Sequence, residues 1–230
     1  VYVIEVNPRA SRTVPFVSKT IGRPLASLAA RVMLGETLES LGYTEEIIAP
    51  FVAVKEAVFP FAKFREFDPI LGPEMRSTGE VMGISDTFGD AFGKAQLAAG
   101  NGLPTTGKVM ITVNRSDRAG VVAVARRFHE MGFGLITTTG TGRYLKERGI
   151  PSEHAFKVSE GRPHAIDLMV NGSVQLLINT PLGKSAQHDD YVMRAAAIAN
   201  RVPYTTTLSG ASAACDAISS LRERPAAVRT

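Results

Sequence analysis

Lys108-Val109-Met110-Ile111-Thr112-Val113 and Phe133-Gly134-Leu135-Ile136-Thr137-Thr138-Thr139 flank residues 116–131, and reading these three segments together decides the fold. The two outer runs are short, apolar and β-branched, the composition of buried strands. Between them Val121, Val124, Ala125 and Phe128 recur at helical spacing, and Gly132 marks the stop. The pattern continues with a short helix over 140–148, a buried strand over 174–180 and a helix over 191–200. A strand over 204–207 and a last helix over 211–221 follow, with a frayed tail from Arg222. Strands alternating with helices imply an α/β fold, a doubly wound, Rossmann-like parallel sheet with helices on both faces.

Toward the N-terminus the pattern changes. Val1-Tyr2-Val3-Ile4-Glu5-Val6 reads as a strand closed by Asn7-Pro8-Arg9, and a polar loop passes through Ser11 and Arg12. Residues 24–34 read as a helix, with Pro24 suited to the first turn and Gly35 to the stop. Residues 51–58 read as a strand. Residues 59–83 are rich in Pro, Gly and Phe and are expected to form no long regular element. A helix over 87–99 and a linker, Gly100-Asn101-Gly102-Leu103-Pro104, place a domain boundary near Gly100, dividing 1–100 from 101–230.

Composition bounds the class. With 44% hydrophobic and 21% charged residues and a mean hydropathy of +0.05, the 230-residue chain does not read as disordered, and no apolar run is long enough for a transmembrane helix. A single cysteine, Cys215, cannot form an internal disulfide, so a reducing, cytoplasmic setting is expected. The chain opens on what reads as a strand already under way, with no initiator Met and no signal peptide. Charge is uneven. Residues 1–100 carry 10 Lys and Arg against 12 Asp and Glu, net −2; residues 101–230 carry 16 against 10, net +6. The cations are scattered and Trp is absent, which argues against a nucleic-acid stripe and for a local anion site in the second half.

Several short motifs suit that chemistry. Glu5, Asn7 and Arg9 point to one face of a strand, where a carboxylate and an amide oxygen suit Mg²⁺ and an arginine suits a phosphate. The same residues also read as a polar strand end with a turn. Thr137-Thr138-Thr139-Gly140-Thr141-Gly142 joins a strand to a helix at the ligand edge of an open sheet, where glycines admit close approach and the helix N-terminus favours an anion. It also reads as an ordinary strand–helix turn. Asn179-Thr180-Pro181 ends another strand and could face the same crevice, with Lys157, Arg118 and Lys184 as the nearby cations. His188-Asp189-Asp190 reads as acid–base machinery or, more simply, as the cap of a helix starting near Tyr191. Cys215 reads as a small core residue, and Glu56, in an apolar strand, calls for a cationic partner.

Longer stretches carry a resemblance. Residues 3–19, Val-Ile-Glu-Val-Asn-Pro-Arg-Ala-Ser-Arg-Thr-Val-Pro-Phe-Val-Ser-Lys, resemble the close of the second ATP-grasp unit of carbamoyl-phosphate synthase large chains. Phe61-Ala62-Lys63-Phe64 and residues 68–83, Asp-Pro-Ile-Leu-Gly-Pro-Glu-Met-Arg-Ser-Thr-Gly-Glu-Val-Met-Gly, resemble the signature that follows there. Residues 101–230 resemble the methylglyoxal-synthase-like regulatory domain that ends that chain. The resemblance implies the truncated end of an ATP-grasp α+β domain followed by an allosteric domain. It implies a ligase making carbamoyl phosphate from bicarbonate, ammonia and two ATP, oligomeric as the full enzyme, with a small glutaminase chain supplying ammonia. It implies that Glu5 and Asn7 hold Mg²⁺ or Mn²⁺, that Arg9 contacts nucleotide phosphates at the catalytic site, and that K⁺ serves the parent enzyme. Arginine and pyrimidine biosynthesis are the implied settings.

For the second half the resemblance implies UMP and IMP as effectors, with Thr138, Thr141, Lys157 and Asn179 on nucleotide-contacting positions. Arg118 stands where the family has lysine, and Pro181 stands where a phosphate-contacting threonine is usual. Glu56 and Thr206 match positions that receive ornithine. Two other readings use the same fold: a carbon–oxygen lyase like methylglyoxal synthase, and a stand-alone nucleotide sensor. The lyase is disfavoured because Ser159-Glu160-Gly161-Arg162-Pro163-His164 lacks the Gly-Asp that supplies its base. The sensor is disfavoured because residues 1–100 keep ligase-type sequence.

Overall fold

The alternation of strands and helices in the second half builds one sheet, and its interior follows from which face each strand residue turns. The computed structural model describes residues 11–60, 76–157, 160–181 and 187–224. Along them run α1 (Thr13–Ile21), α2 (Leu25–Met33), β1 (Val52–Val58), β2 (Gly79–Ser85), α3 (Phe88–Ala98), β3 (Lys108–Thr112), α4 (Arg118–Glu130) and β4 (Gly134–Thr137). Then come α5 (Thr139–Lys146), β5 (Glu153–His154), α6 (Ala165–Val170), β6 (Leu176–Asn179), α7 (Gln187–Ala199), β7 (Tyr204–Thr205) and α8 (Leu208–Glu223).

Strands β3 to β7 form a five-stranded parallel sheet in the order β5-β4-β3-β6-β7. The chain winds outward from β3 through β4 and β5, then returns to the other side of β3 for β6 and β7. The winding direction therefore reverses between β3 and β6, which opens a crevice at their carboxyl ends. Period-two alternation sorts the core. Val109, Ile111, Leu135, Leu176 and Ile178 pack with Val121, Val124, Ala125 and Phe128 of α4, Leu145 of α5, and Ala211, Cys215 and Ile218 of α8. Met110, Ile136 and Leu177 turn the other way, onto Ala165 and Met169 of α6 and Met193 and Ala197 of α7. Burial on both faces is why these strands read as continuous apolar runs.

The first half is built differently. β1 and β2 pair antiparallel, from Val52 opposite Ser85 to Val58 opposite Gly79. The expectation that 59–83 lacks a long regular element is therefore corrected at 79–83, which belongs to β2. Gly83 gave the misleading signal: it interrupts the strand composition because α3 crosses there, and a Cβ would run into the carbonyl oxygen of Ala91. α3 is capped by Thr87, whose hydroxyl accepts from the Asp90 amide, and is tied back by the Lys94–Asp90 pair at 2.9 Å. Its other side lies against α8. α1 and α2 bury no residue. Lys55 Nζ attaches α1 to the β-pair, lying 3.4 Å from Thr13 Oγ1 and 3.7 Å from Glu80, and 5.9 Å from the Phe16 ring centre.

Several boundaries differ from expectation, and α1, β5 and α6 lie where no element was expected. α5 runs Thr139–Lys146, starting one residue before the expected 140–148, and Gly142 within it serves close approach: a Cβ there would lie 2.5 Å from Thr137 Oγ1. α7 starts at Gln187, so His188, Asp189 and Asp190 lie within its first turn. α8 runs to Glu223, and Arg222, expected to fray, donates to the carbonyls of Thr105 and Met131 and lies over the Phe133 ring. No helix among the described residues is long and apolar enough to cross a membrane.

Candidate functional site

The crevice between β3 and β6 is stitched at its base. Past the end of β3, the Asn114 amide nitrogen donates to Thr180 Oγ1 at 3.1 Å, and its Nδ2 donates to the Pro181 carbonyl at 3.3 Å. Asn114 Nδ2 also holds Asp117 at 2.7 Å, one residue before α4. This fixes where Arg118, the first residue of α4, leaves the sheet.

Arg118 lies against the N-terminus of α5. A Cβ on Gly140 would take the space its guanidinium occupies, so the glycine admits Arg118 in this arrangement. Thr138 is the N-cap, yet its hydroxyl makes no capping bond and instead donates to Thr112 Oγ1 at 3.5 Å. The N-cap side chain thus satisfies none of the leading N–H groups of α5. Arg118 Nε is buried without a hydrogen-bond partner among the described residues. A guanidinium beside the positive end of a helix is unfavourable alone, and an anion seated there satisfies both.

The other expected contacts are built into the same edge. Thr141 is buried on α5, its Oγ1 accepting from the Val113 amide at 3.4 Å. Asn179 ends β6 with both ends of its side-chain amide held: Nδ2 donates to Asp190 at 2.9 Å, and Oδ1 accepts from Arg194 at 2.7 Å. Lys157 follows β5, where its amide donates to Glu160 at 3.1 Å. Pro181 is exposed at the end of β6. Lys184 lies outside the described residues, as do Glu5, Asn7 and Arg9 and the quoted stretch 61–75. Among the described residues no group of three His, Cys, Asp or Glu could hold a metal ion.

A second site lies where the two halves meet. A cavity of about 530 Å³ is lined by Glu56 from β1, by Phe92 and Gln96 from α3, and by Tyr204, Thr206 and Ala214 around β7 and α8. The two residues matched to ornithine positions, Glu56 and Thr206, thus open into one cavity. Burial pushes the Glu56 carboxyl above its usual range, and a hydrogen bond with Gln96 partly offsets it. The cationic partner expected for Glu56 is not supplied by an ion pair among the described residues. Arg201 lines the same cavity, its backbone in the left-handed region at φ 55°.

Elsewhere Cys215 keeps its simpler reading, whereas His188-Asp189-Asp190 lie inside α7, which starts at Gln187, and are not a cap ahead of Tyr191. Cys215 is buried, its thiol pushed up to about 12 by desolvation, a packing residue. Asp189 and Asp190 sit where acidic groups offset a helix dipole, but Asp190 is also an acceptor for Asn179. Sequence reasoning missed Asn114, Asp190 as a partner of Asn179, and Arg194. For Arg194 a signal was present: a charged residue between Met193 and Ala197 on an inward face. Its partner could not be named from spacing.

Comparison with known proteins matches two families. The MGS-like domain covers residues 120–206, and the ATP-binding domain of the carbamoyl-phosphate synthase L chain covers residues 1–41. The carbamoyl phosphate synthase large chain of Gemmatimonas aurantiaca is 62% identical over all 230 residues, which span 21% of its length. That of Pseudomonas aeruginosa is 52% identical over 95% of this chain and 20% of its own. That of Archaeoglobus fulgidus is 51% identical over the whole of this chain and 22% of its own. The chain spans about a fifth of the length of the curated relatives it matches. From its ATP-binding match at one end to its MGS-like match in the other half, the chain belongs to the family of carbamoyl phosphate synthase large chains.

Proposed function

We propose that this chain is the C-terminal part of a cytoplasmic carbamoyl phosphate synthase large chain, and that its crevice between β3 and β6 is a regulatory nucleotide site. The whole enzyme uses ATP to make carbamoyl phosphate from bicarbonate and from ammonia released by a small glutaminase chain. We place the division between ATP-grasp remainder and MGS-like regulatory domain near Gly100. Glu5 and Asn7 belong to the divalent-metal site, with Arg9 at the nucleotide phosphates, and this part of the reading rests on sequence resemblance alone.

The observation that carries the regulatory reading is Arg118 against Gly140 at a helix N-terminus that Thr138 does not cap, with Nε buried and unpartnered among the described residues. A nucleoside monophosphate such as UMP or IMP brings a dianion to that point. The Glu56–Thr206 cavity suits the cationic amino acid ornithine, whose ammonium supplies the charge that Glu56 lacks.

Calorimetry with UMP and IMP on the 230-residue chain tests the first site. Saturable heat is expected, and Arg118→Ala should weaken binding about tenfold, equivalent to ~1.4 kcal/mol. A folded chain giving no heat with either nucleotide overturns the assignment. The same preparation, holding a fifth of its relatives' length, should make no carbamoyl phosphate from ATP, bicarbonate and ammonia; steady production would show that the synthetic site is complete in these residues.

A further inference from the structure

We propose that Asp190 and Arg194 are positioning residues that lock the side-chain amide of Asn179 in one orientation, fixing what the end of β6 offers a ligand in the crevice. The inference rests on the nucleotide-site reading for the identity of that ligand, and on geometry for the lock itself.

An asparagine amide carries two N–H donors and two acceptor lone pairs, and its orientation is set only by its neighbours. At Asn179 the neighbours leave no choice. The carboxylate of Asp190 only accepts and takes Nδ2 at 2.9 Å; the guanidinium of Arg194 only donates and takes Oδ1 at 2.7 Å. Turning the amide over would set its N–H groups against Arg194 and its oxygen against Asp190, losing two charge-assisted bonds at once. All three residues are buried, Asn179 and Arg194 at 1% exposure and Asp190 at 3%. Asp190 and Arg194 stand one turn apart on α7, so one rigid element supplies both jaws.

Two opposite charges are costly to bury, and hydrophobic residues would hold α7 on the sheet at less cost. Their presence beside the crevice is explained if they serve orientation. Asn179 precedes Thr180, which is itself bonded to Asn114 across the switch point. With the amide locked, one N–H and one lone pair remain in fixed places, and a ligand must match them or be rejected.

Two measurements on the full 230-residue chain test this, one of them independent of any ligand. In the first, NMR follows solvent exchange of the Asn179 Nδ2 protons, with exposed Asn101 as internal reference. Slow exchange is expected in the wild type. In Arg194→Lys, which keeps the charge but loses the planar fork, it should rise about tenfold while the thermal midpoint changes little. Asp190→Asn, isosteric and still an acceptor, serves if the lysine variant does not fold. In the second, UMP and IMP affinities should fall about tenfold in the same variant, a loss a purely structural role would not produce at unchanged stability. Unchanged exchange overturns the lock, and faster exchange with unchanged affinity overturns its service to the ligand. If the wild type binds neither nucleotide, the regulatory reading falls, and the exchange measurement still decides whether the amide is locked.

Discussion

A carboxylate set in a strand of apolar residues is costly to keep charged, and Glu56 shows that cost in a pKa raised chiefly by burial. The folded chain therefore holds the proton more tightly than the unfolded one. That contribution to stability is complete below the ordinary glutamate range and is lost as pH rises through the elevated pKa. Glu56→Gln, which does not titrate, should accordingly be more stable than wild type at pH 7, with the difference shrinking as pH falls toward the ordinary carboxylate range. Thermal melts across pH check the sign. Adding ornithine should raise the wild-type midpoint at neutral pH and leave the glutamine variant unmoved; equal shifts in both would remove Glu56 from the cavity's chemistry. The residue-level reading from sequence was uneven for a physical reason. Thr138, Thr141 and Asn179 were placed at the ligand edge because strand ends and helix starts are written in local composition. That the Asn179 amide is clamped by groups 11 and 15 residues later depends on how α7 docks, which no local pattern encodes.

At the scale of elements, the contact between α3 and α8 joins the segment before Gly100 to the sheet after it. Two glycines on α3 face α8, and they do so at different clearance. A Cβ on Gly89 would lie 2.5 Å from the Asp216 carbonyl oxygen, whereas one on Gly93 would meet Leu221 at 3.4 Å. Gly89→Ala must therefore push backbone from backbone and should destabilise by ~1–3 kcal/mol. Gly93→Ala meets a flexible side chain at ordinary contact distance and gains helix propensity, so it should be neutral to stabilising by up to ~1 kcal/mol. Denaturant titrations of the two variants give the comparison, and equal effects would mean that α3 does not approach α8 through Gly89. The same closeness explains which elements were legible. Strands β3, β4 and β6 and helices α4, α7 and α8 were read within a few residues, because burial leaves an unbroken signal there, whereas the short β5 and α6 were not read at all. β2 was misjudged because Gly83 is there for what approaches it, and a glycine in sequence does not say whether it breaks an element or makes room for a neighbour.

For the whole molecule, burial and sequence organisation place the division differently. Composition and charge separate the chain near Gly100, net −2 before and +6 after. Packing places α3, and with it the β1–β2 pair, on α8, while Leu103 of the connecting segment joins the core of the parallel sheet. Residues 11–50 contain no buried residue at all, and Met33, Leu34 and Ile48 are more than four-fifths exposed. α1 and α2 thus have little apolar contact to lose on opening, whereas β3, β4 and β6 open only if the core does. Hydrogen exchange should resolve two tiers. Amides of β3, β4 and β6 are expected to be the most protected, with β2 and α3 following them within one cooperative unit. Amides of α1 and α2 should exchange at least about tenfold faster despite being hydrogen-bonded within helices, since sub-global openings span from near zero to the full unfolding free energy. Fast exchange in α3 together with α1 and α2 would restore the energetic boundary to Gly100. Slow exchange grouped with β3 would instead place it before β1, making α3 the element through which a ligand at the sheet edge can act on the segment that precedes it.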